Sequence, residues 1–64
     1  MGLVFSSRQL IDMVQADGWL LVRIKGDHHH FRHPSKPGTV TIPHPNRILA
    51  KGTANSILRQ AGLK

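Results

Sequence analysis

Apolar residues in the first third of the chain recur with the period of a helix. One face of that helix would carry Leu10, Ile11 and Val14. Ser6 and Gln9 fit a capping box, in which a hydroxyl and an amide side chain satisfy backbone N–H groups at a helix start. Gly18 suits the left-handed residue that follows a helix. The pattern predicts a first helix over Ser7–Asp17, after a short lead-in over Met1–Phe5 in which Val4 and Phe5 either pack on the helix or fray.

The middle of the chain has the composition of short strands, and glycines and prolines mark their ends. Trp19–Lys25 is rich in β-branched and aromatic residues and ends at the turn dipeptide Gly26–Asp27. His28–His33 is closed by a proline, and Thr39–Ile42 alternates with period two before a further proline. Three strands joined by tight turns predict an antiparallel meander.

A second helical pattern closes the chain. Thr53 is the predicted N-cap and Gly62 the predicted end, and one face would carry Ala54, Ile57, Leu58 and Ala61. The predicted order is α-β-β-β-α over a single domain, residues 1–64. The expected fold class is α+β, with a three-stranded antiparallel sheet, two helices on one face and the other face open.

The net charge of the chain narrows the classes of molecule that it is expected to bind. Nine Lys and Arg against three Asp and no Glu give a formal net charge of +6. Such an excess favours nucleic acid, an anionic membrane or an acidic protein as partner. The membrane is the poorest fit, because neither predicted helix has a strongly basic polar face opposite a broad apolar one. The absence of cysteine excludes disulfides, thiolate catalysis and zinc fingers. The longest apolar stretch is too short for a membrane span, so we expect an intracellular, soluble protein with no membrane role.

Side-chain alternation places the candidate chemistry on one face of the sheet. If Phe31 faces the helices, His29 and His33 share its side, whereas His28, His30 and Arg32 share the other. In the third strand, Val40 and Ile42 should point inward, and Thr39 and Thr41 outward.

The face assignment of the first strand stays open. Either the core set is Leu20, Val22 and Ile24, which puts Arg23 and Lys25 beside the histidines, or the opposite register buries Trp19 and Leu21. A bulge would reconcile both alternatives.

A cluster of Arg23, Lys25, His28, His30 and Arg32 suits phosphodiester chemistry. Imidazoles exchange protons near neutral pH, so one can accept the proton of a ribose 2′-hydroxyl. Cations hold the phosphate and stabilise its developing charge. Such a reaction needs no metal and no cofactor, and histidines on a strand surface are equally compatible with a structural role.

Two further features of the sequence have residue types that bind ligands. His28 and His30 could contribute to a metal site, but a third ligand would have to be His44 or Asp27, so we predict none. Lys51, at the start of the second helix, offers a cation beside free N–H groups, which suits either an anion site or ordinary capping.

The chain resembles the HicA family, the toxins of prokaryotic toxin–antitoxin pairs. The resemblance runs from about Ser7 to Leu63 and rests on Gly18-Trp19, Arg23, Lys25-Gly-Asp-His-His-His-Phe31, Thr41-Ile-Pro-His44, Lys51-Gly-Thr53 and Ile57-Leu-Arg-Gln-Ala-Gly-Leu63. It implies a fold similar to a double-stranded-RNA-binding domain and endoribonucleolytic cleavage of mRNA in the prokaryotic cytoplasm, which arrests translation.

The resemblance also implies a catalytic residue. The family's catalytic histidine follows a Gly-Ser pair, and the matching residue here is His28, with His29, His30 and Lys25 as supporting candidates. Asp27 stands where the family usually has Ser. Its carboxylate would either orient the imidazole and favour its charged form, or repel the scissile phosphate.

An antitoxin is the implied partner. HicB antitoxins are typically acidic and cover the active face of the toxin, which suits a chain of charge +6. This chain shows no helix-turn-helix, so any binding of DNA would pass through the antitoxin. Two alternatives stay open: a non-catalytic RNA-binding module of the same fold, and a degenerate toxin that Asp27 has weakened.

Overall fold

The fold has the predicted order of one helix, three strands and a second helix. A computed structural model describes residues 5–64. Its elements are α1 (Ser7–Ala16), β1 (Leu20–Lys25), β2 (His28–Arg32), β3 (Thr39–Pro43) and α2 (Lys51–Gln60). Of the predicted lead-in, Met1–Val4 lie outside the described residues. Phe5 packs against the core and its carbonyl accepts a hydrogen bond from the N–H of Leu49, at 2.8 Å.

Helix α1 begins with the predicted capping box. The Ser6 hydroxyl accepts from the N–H of Gln9 at 3.2 Å, and the Gln9 side-chain oxygen accepts from the N–H of Ser6 at 2.9 Å. At the other end Gly18 has a φ of +106°. A β-carbon there would also lie 2.8 Å from the His33 ring, so both conformation and space require glycine.

Both helices end in a Schellman motif, in which two N–H groups after the helix satisfy its last carbonyls. After α1, the N–H groups of Gly18 and Trp19 donate to Gln15 and Val14, each at 3.0 Å. After α2, Gly62 and Leu63 repeat the pattern, and Gly62 has the predicted left-handed φ. In each case the second residue packs on the core, so these motifs dock both helix ends.

The start of α2 differs from the prediction. Thr53 was predicted to be the N-cap, but α2 begins at Lys51 with Ala50 in the cap position and no side-chain cap. The physical reason lies upstream. Leu49 is paired with Phe5, and the chain turns into the helix directly after it, before the nearest hydroxyl residue.

The sheet has the order β1-β2-β3, and both pairs are antiparallel. The helices pack against β3, and the buried sheet residues are Phe31, Val40 and Ile42. Trp19, directly before β1, is buried with them. The sheet and fold class are as predicted, but within residues 5–64 the helices leave β1 uncovered, and its six residues are all exposed.

A bulge in β1 explains why neither predicted face assignment of this strand is fully correct. Its register with β2 shifts between Leu21 and Arg23, so that Val22 is the extra residue. The set Leu20, Val22 and Ile24 is not buried, which makes that core assignment wrong. The alternative is half right, because Trp19 is 1% exposed and Leu21 is 43% exposed.

A polar clasp joins the end of α1, the β2–β3 loop and the end of α2. The Lys36 ammonium donates to the Asp17 carboxylate and, at 3.1 Å, to the carbonyl of Ala61. The Trp19 indole N–H donates to the same carbonyl at 3.3 Å. The hydrogen bond from Lys36 lowers the pKa of Asp17 below its ordinary value of 3.8, because it favours the ionised carboxylate.

The lowered pKa of Asp17 predicts part of the acid sensitivity. A carboxyl group that ionises more readily in the folded state stabilises the fold above its unfolded pKa, and that stabilisation is lost as the pH falls through the lower folded value. We expect Asp17→Asn to lower stability at neutral pH and to flatten the further loss below pH 3.8. Urea unfolding midpoints measured across that range check this. Asp12→Asn, at an exposed position of α1, is the control and should keep the acid loss. An unchanged acid loss in Asp17→Asn would contradict the role of the clasp.

Candidate active site on the open sheet face

The sheet face away from the helices collects the predicted basic residues and histidines. Cross-strand pairing sets Lys25 opposite His28 and Arg23 opposite His30, and Arg32 follows on β2. Paired residues and every second residue of a strand share a face. We call the surface formed by Arg23, Lys25, His28, His30 and Arg32 the open face. Lys51 is not part of it, because it begins α2 in the helical layer.

His28 stands at the corner of a tight hairpin. Gly26 and Asp27 form the two-residue loop between β1 and β2, and Gly26 has a φ of +59°, which suits its place in a type II′ turn. The His28 side chain is 56% exposed. Its Nε2 lies 3.8 Å from the Asp27 carboxylate, beyond hydrogen-bonding distance. The imidazole is therefore accessible to a ligand and is not oriented by Asp27.

His30 is held more firmly than its neighbour. Its Nδ1 lies 2.9 Å from the hydroxyl of Thr41 on β3, and its ring is half-buried. The rings of His28 and His30 are 6.5 Å apart between centroids. The Thr41 hydroxyl thus orients one of the two imidazoles of the open face, whereas the other is free to turn.

A shallow pocket of about 300 Å³ opens beside His30. Its walls include both arginines of the open face, and it is lined by Val22, Arg23, His30, Arg32 and Thr39. The bulge places Val22 in this wall. Two guanidinium groups around a concave surface suit a phosphate or another anion.

The other three histidines belong to the packing of the domain. His33 accepts from the N–H of Ser35 at Nδ1, so its Nε2 carries the proton that it donates to the carbonyl of Asp17, at 2.8 Å. His29 lies on the helix side as predicted, edge-on to His44 at 5.0 Å between ring centroids. His29 therefore does not join the open face, and its buried Nδ1 has no partner among residues 5–64.

Two polar contacts were not predicted from the sequence. Thr41 faces outward as predicted, on the same side of the sheet as His30. Its hydrogen bond to the His30 ring was not predicted, because it depends on the register between β2 and β3. Ser7 is buried, with its hydroxyl 2.6 Å from Nδ1 of His44, a residue 37 positions away. No local pattern signals either contact, because each needs the strands and loops to be placed first.

The open face has the electrostatics of an anion-binding surface. Three of its five residues are Lys or Arg, and Asp27 at the hairpin is the carboxylate beside it. Among residues 5–64, no group of three or more His, Asp or Glu side chains is arranged around a common metal position. The arrangement offers imidazoles for proton transfer and cations for a phosphate on the same surface.

Strand β1, at the edge of the sheet, exposes apolar side chains on both faces. Leu20 pairs with Arg32 of the open face, whereas Leu21 and Ile24 pair with Phe31 and His29 of the helix side. Leu20, Leu21, Val22 and Ile24 are between 43% and 61% exposed. Contiguous exposed apolar residues on a small domain are typical of a surface that binds a partner. None of the helices within residues 5–64 has the length and apolar character needed to cross a membrane.

Comparison with known proteins shows which family of proteins this chain belongs to. The family described as "HicA toxin of bacterial toxin-antitoxin" matches residues 7–63. A solved structure described as "Toxin-Antitoxin complex from Streptococcus pneumoniae" contains a similar chain, with a TM-score of 0.75 and 29% sequence identity. The alignment covers 91% of this chain and 97% of that one. No curated protein matches the sequence significantly.

The family match and the structural likeness agree with the geometry. The family match extends over the hairpin with His28, the Thr41–His44 segment and the end of α2, and the structural likeness covers 91% of the chain. The solved relative shares the helix–sheet–helix architecture and is itself part of a toxin–antitoxin complex. This chain belongs to the HicA family of toxins.

Proposed function

We propose that this chain is an endoribonuclease toxin that cleaves mRNA, with the His28 imidazole as its catalytic group. The observation that carries the proposal is the position of His28, exposed at a hairpin corner and flanked by the cations of the open face. Membership of the HicA family gives the toxin class. The likeness of the motif around His28 to the family's catalytic motif supports cleavage of RNA rather than binding alone.

The reaction uses the substrate's own 2′-hydroxyl as nucleophile. His28 takes the proton of that hydroxyl, and the 2′-oxygen bonds to the neighbouring phosphorus. The bond from phosphorus to the 5′-oxygen breaks, which leaves a 2′,3′-cyclic phosphate on one product. The departing 5′-oxygen takes a proton from a second group of the open face, for which His30 and Lys25 are the candidates. Every proton is thereby accounted for by side chains and substrate.

The arginines of the open face bind the phosphate. Arg23 and Arg32 line the pocket beside His30, where they neutralise the charge that builds on the phosphoryl oxygens. Thr41 keeps the His30 ring directed by its hydrogen bond. Lys51, which lies in the helical layer, contributes to RNA binding outside this surface.

We further propose that an acidic antitoxin of the HicB type neutralises the toxin. A net charge of +6 favours an acidic partner, and the exposed apolar residues of β1, at the edge of the sheet, give that partner a surface to bury. The similar chain from Streptococcus pneumoniae comes from a toxin–antitoxin complex. A partner lying across β1 and the open face would exclude RNA from His28.

Replacing His28 tests the catalytic assignment. We expect His28→Ala to lower RNA cleavage at least about 100-fold, because positioned proton transfer contributes about 10²–10⁴ to such rates. Cleavage is measured with purified chain in EDTA, and folding is checked by circular dichroism. Arg59→Ala, an exposed change on α2, is the control and should cleave normally.

Other outcomes of that assay separate the alternatives. Equal cleavage by the parent and by His28→Ala would contradict the role of His28. Binding of RNA without cleavage by the parent would indicate a non-catalytic RNA-binding module or a degenerate toxin. Affinity that falls smoothly with salt would then be expected, because phosphate contacts dominate such binding.

Asp27→Ser tests what the carboxylate at the hairpin does. At 3.8 Å from Nε2 and 74% exposed, it is too distant and too solvated to orient His28, but close enough to repel a phosphate. We expect Asp27→Ser to lower the KM for RNA about two- to fivefold and to leave kcat nearly unchanged. Asp12→Ser removes the same charge from α1 and should change neither constant. A large fall in kcat would instead show that Asp27 assists the imidazole.

A further inference from the structure

A second concave surface lies beyond the hairpin, in the layer of the helices. This cleft has a volume of about 350 Å³ and separates the start of α1 from the loop between β3 and α2. It is lined by Ser6, Ser7, Arg8, His44, Pro45, Asn46 and Arg47. None of these residues belongs to the open face. The volume suits a group of the size of a nucleotide.

The cleft is held together by a buried hydroxyl. Ser7 is 1% exposed, and its Oγ accepts from the N–H of Asn46 at 2.8 Å. The N–H of Ser7 donates to the carbonyl of Asn46 at 2.9 Å, and His44 Nδ1 lies 2.6 Å from the same hydroxyl. These contacts hold the loop against α1. The walls are therefore set before a ligand arrives, which reduces the cost of binding.

The rim of the cleft is cationic. Arg8 and Arg47 are exposed, one on each side, and within residues 5–64 neither forms an ion pair with a carboxylate. The N–H groups of Ser6, Ser7 and Gln9 at the start of α1 already have partners, so the attraction for an anion comes from the two side chains. Pro45 and the His44 ring add an apolar wall on which a base can stack.

The position of the cleft links it to the proposed catalytic residue. His28 is paired with Pro43, the last residue of β3, and the cleft begins at the next residue along the chain. The N–H of His44 donates to the carbonyl of Asp27 at 2.7 Å, which joins the cleft directly to the hairpin. The pocket of Arg23 and Arg32 lies on the other side of His28, further along β2. His28 therefore stands between two cationic concavities.

We propose that the cleft between Arg8 and Arg47 binds a nucleotide of the RNA on the far side of His28 from the open-face pocket. The phosphate of that nucleotide contacts the two guanidinium groups, and its base packs against Pro45 and His44. This inference rests on the proposed ribonuclease function and assigns the second half of its substrate track. An RNA held at both concavities is kept from sliding while its phosphate lies at His28.

Binding of RNA that cannot be cleaved tests the cleft separately from catalysis. The probe is a fluorescent single-stranded RNA with 2′-O-methyl riboses, titrated into the full chain. We expect Arg8→Ala and Arg47→Ala each to raise Kd about three- to tenfold and to reduce the slope of log K against log salt by about 0.7. Arg59→Ala removes the same charge at the far end of the helical layer and is the matched control, with little expected effect.

A second measurement locates the RNA. In two-dimensional NMR spectra the same probe should shift the signals of His44 and Arg47, and Arg47→Ala should abolish the shift at His44. A Kd in the cleft variants equal to that of Arg59→Ala would overturn the proposal and leave the cleft to a protein partner. Failure of the parent chain to bind the probe would also overturn it.

The two proposals fail in different ways. RNA binding that depends on Arg8 and Arg47 without any cleavage by the parent would uphold the cleft and contradict the ribonuclease. Cleavage that depends on His28 in variants that bind the probe as the parent does would uphold the ribonuclease and contradict the cleft.

Discussion

The burial of Phe31 is the constraint on which the arrangement of the site depends. Phe31 is fully buried between the sheet and the helices, and side chains of a strand alternate between its faces. His28, His30 and Arg32 must therefore project from the opposite face. A shift of one residue in β2 would put Phe31 in solvent and bury His30 and Arg32, a cost that no local interaction offsets. Core packing and the placement of the imidazoles are thus consequences of one register.

The contacts that hold the helices on the sheet stabilise the register of β2 with β3 but not that of β1. The two Schellman motifs and the clasp of Asp17, Lys36 and Ala61 join the helix ends to the β2–β3 side. In the described part of the chain, residues 5–64, nothing comparable covers β1. Its bulge at Val22 leaves apolar side chains exposed, while Arg23 stays on the open face. A domain of this size has little core to spare. The four exposed apolar side chains of β1 are typical of a surface that binds a partner.

Much of this architecture could be predicted from the sequence because its signals are local. The capping box of Ser6 and Gln9, the glycines at 18 and 62, and the face of β2 set by its one aromatic residue all depend on neighbours within a few positions. The sequence offers a bulge in β1 as one of three alternatives but does not select it, because both plain registers offer similar apolar burial. The start of α2 was misplaced at Thr53, since the pairing of Leu49 with Phe5 sets it across the fold.

In the candidate site, too, features with a local signal could be predicted and long-range contacts could not. Alternation alone places His28 and His30 together, and the family resemblance then selects His28. The bond of Thr41 to His30 and the cleft closed by Ser7 and His44 join residues 11 and 37 positions apart, for which a single sequence carries no signal. Such contacts depend on how the loops are placed, and they determine how RNA would lie on the surface. Strand alternation determines only which side chains the RNA would contact.

The chemical form of the cleaved RNA tests the central claim most directly. The purified chain is incubated in EDTA with an RNA, and the product ends are identified by mass spectrometry. A matched RNA carries a single 2′-deoxyribose at the main cleavage position. Attack by the ribose 2′-hydroxyl predicts a 2′,3′-cyclic phosphate on one product, a free 5′-hydroxyl on the other, and no cleavage at the deoxyribose. A 5′-phosphate end, or unchanged cleavage at the deoxyribose, would contradict the account, because water rather than the 2′-hydroxyl would then be the nucleophile.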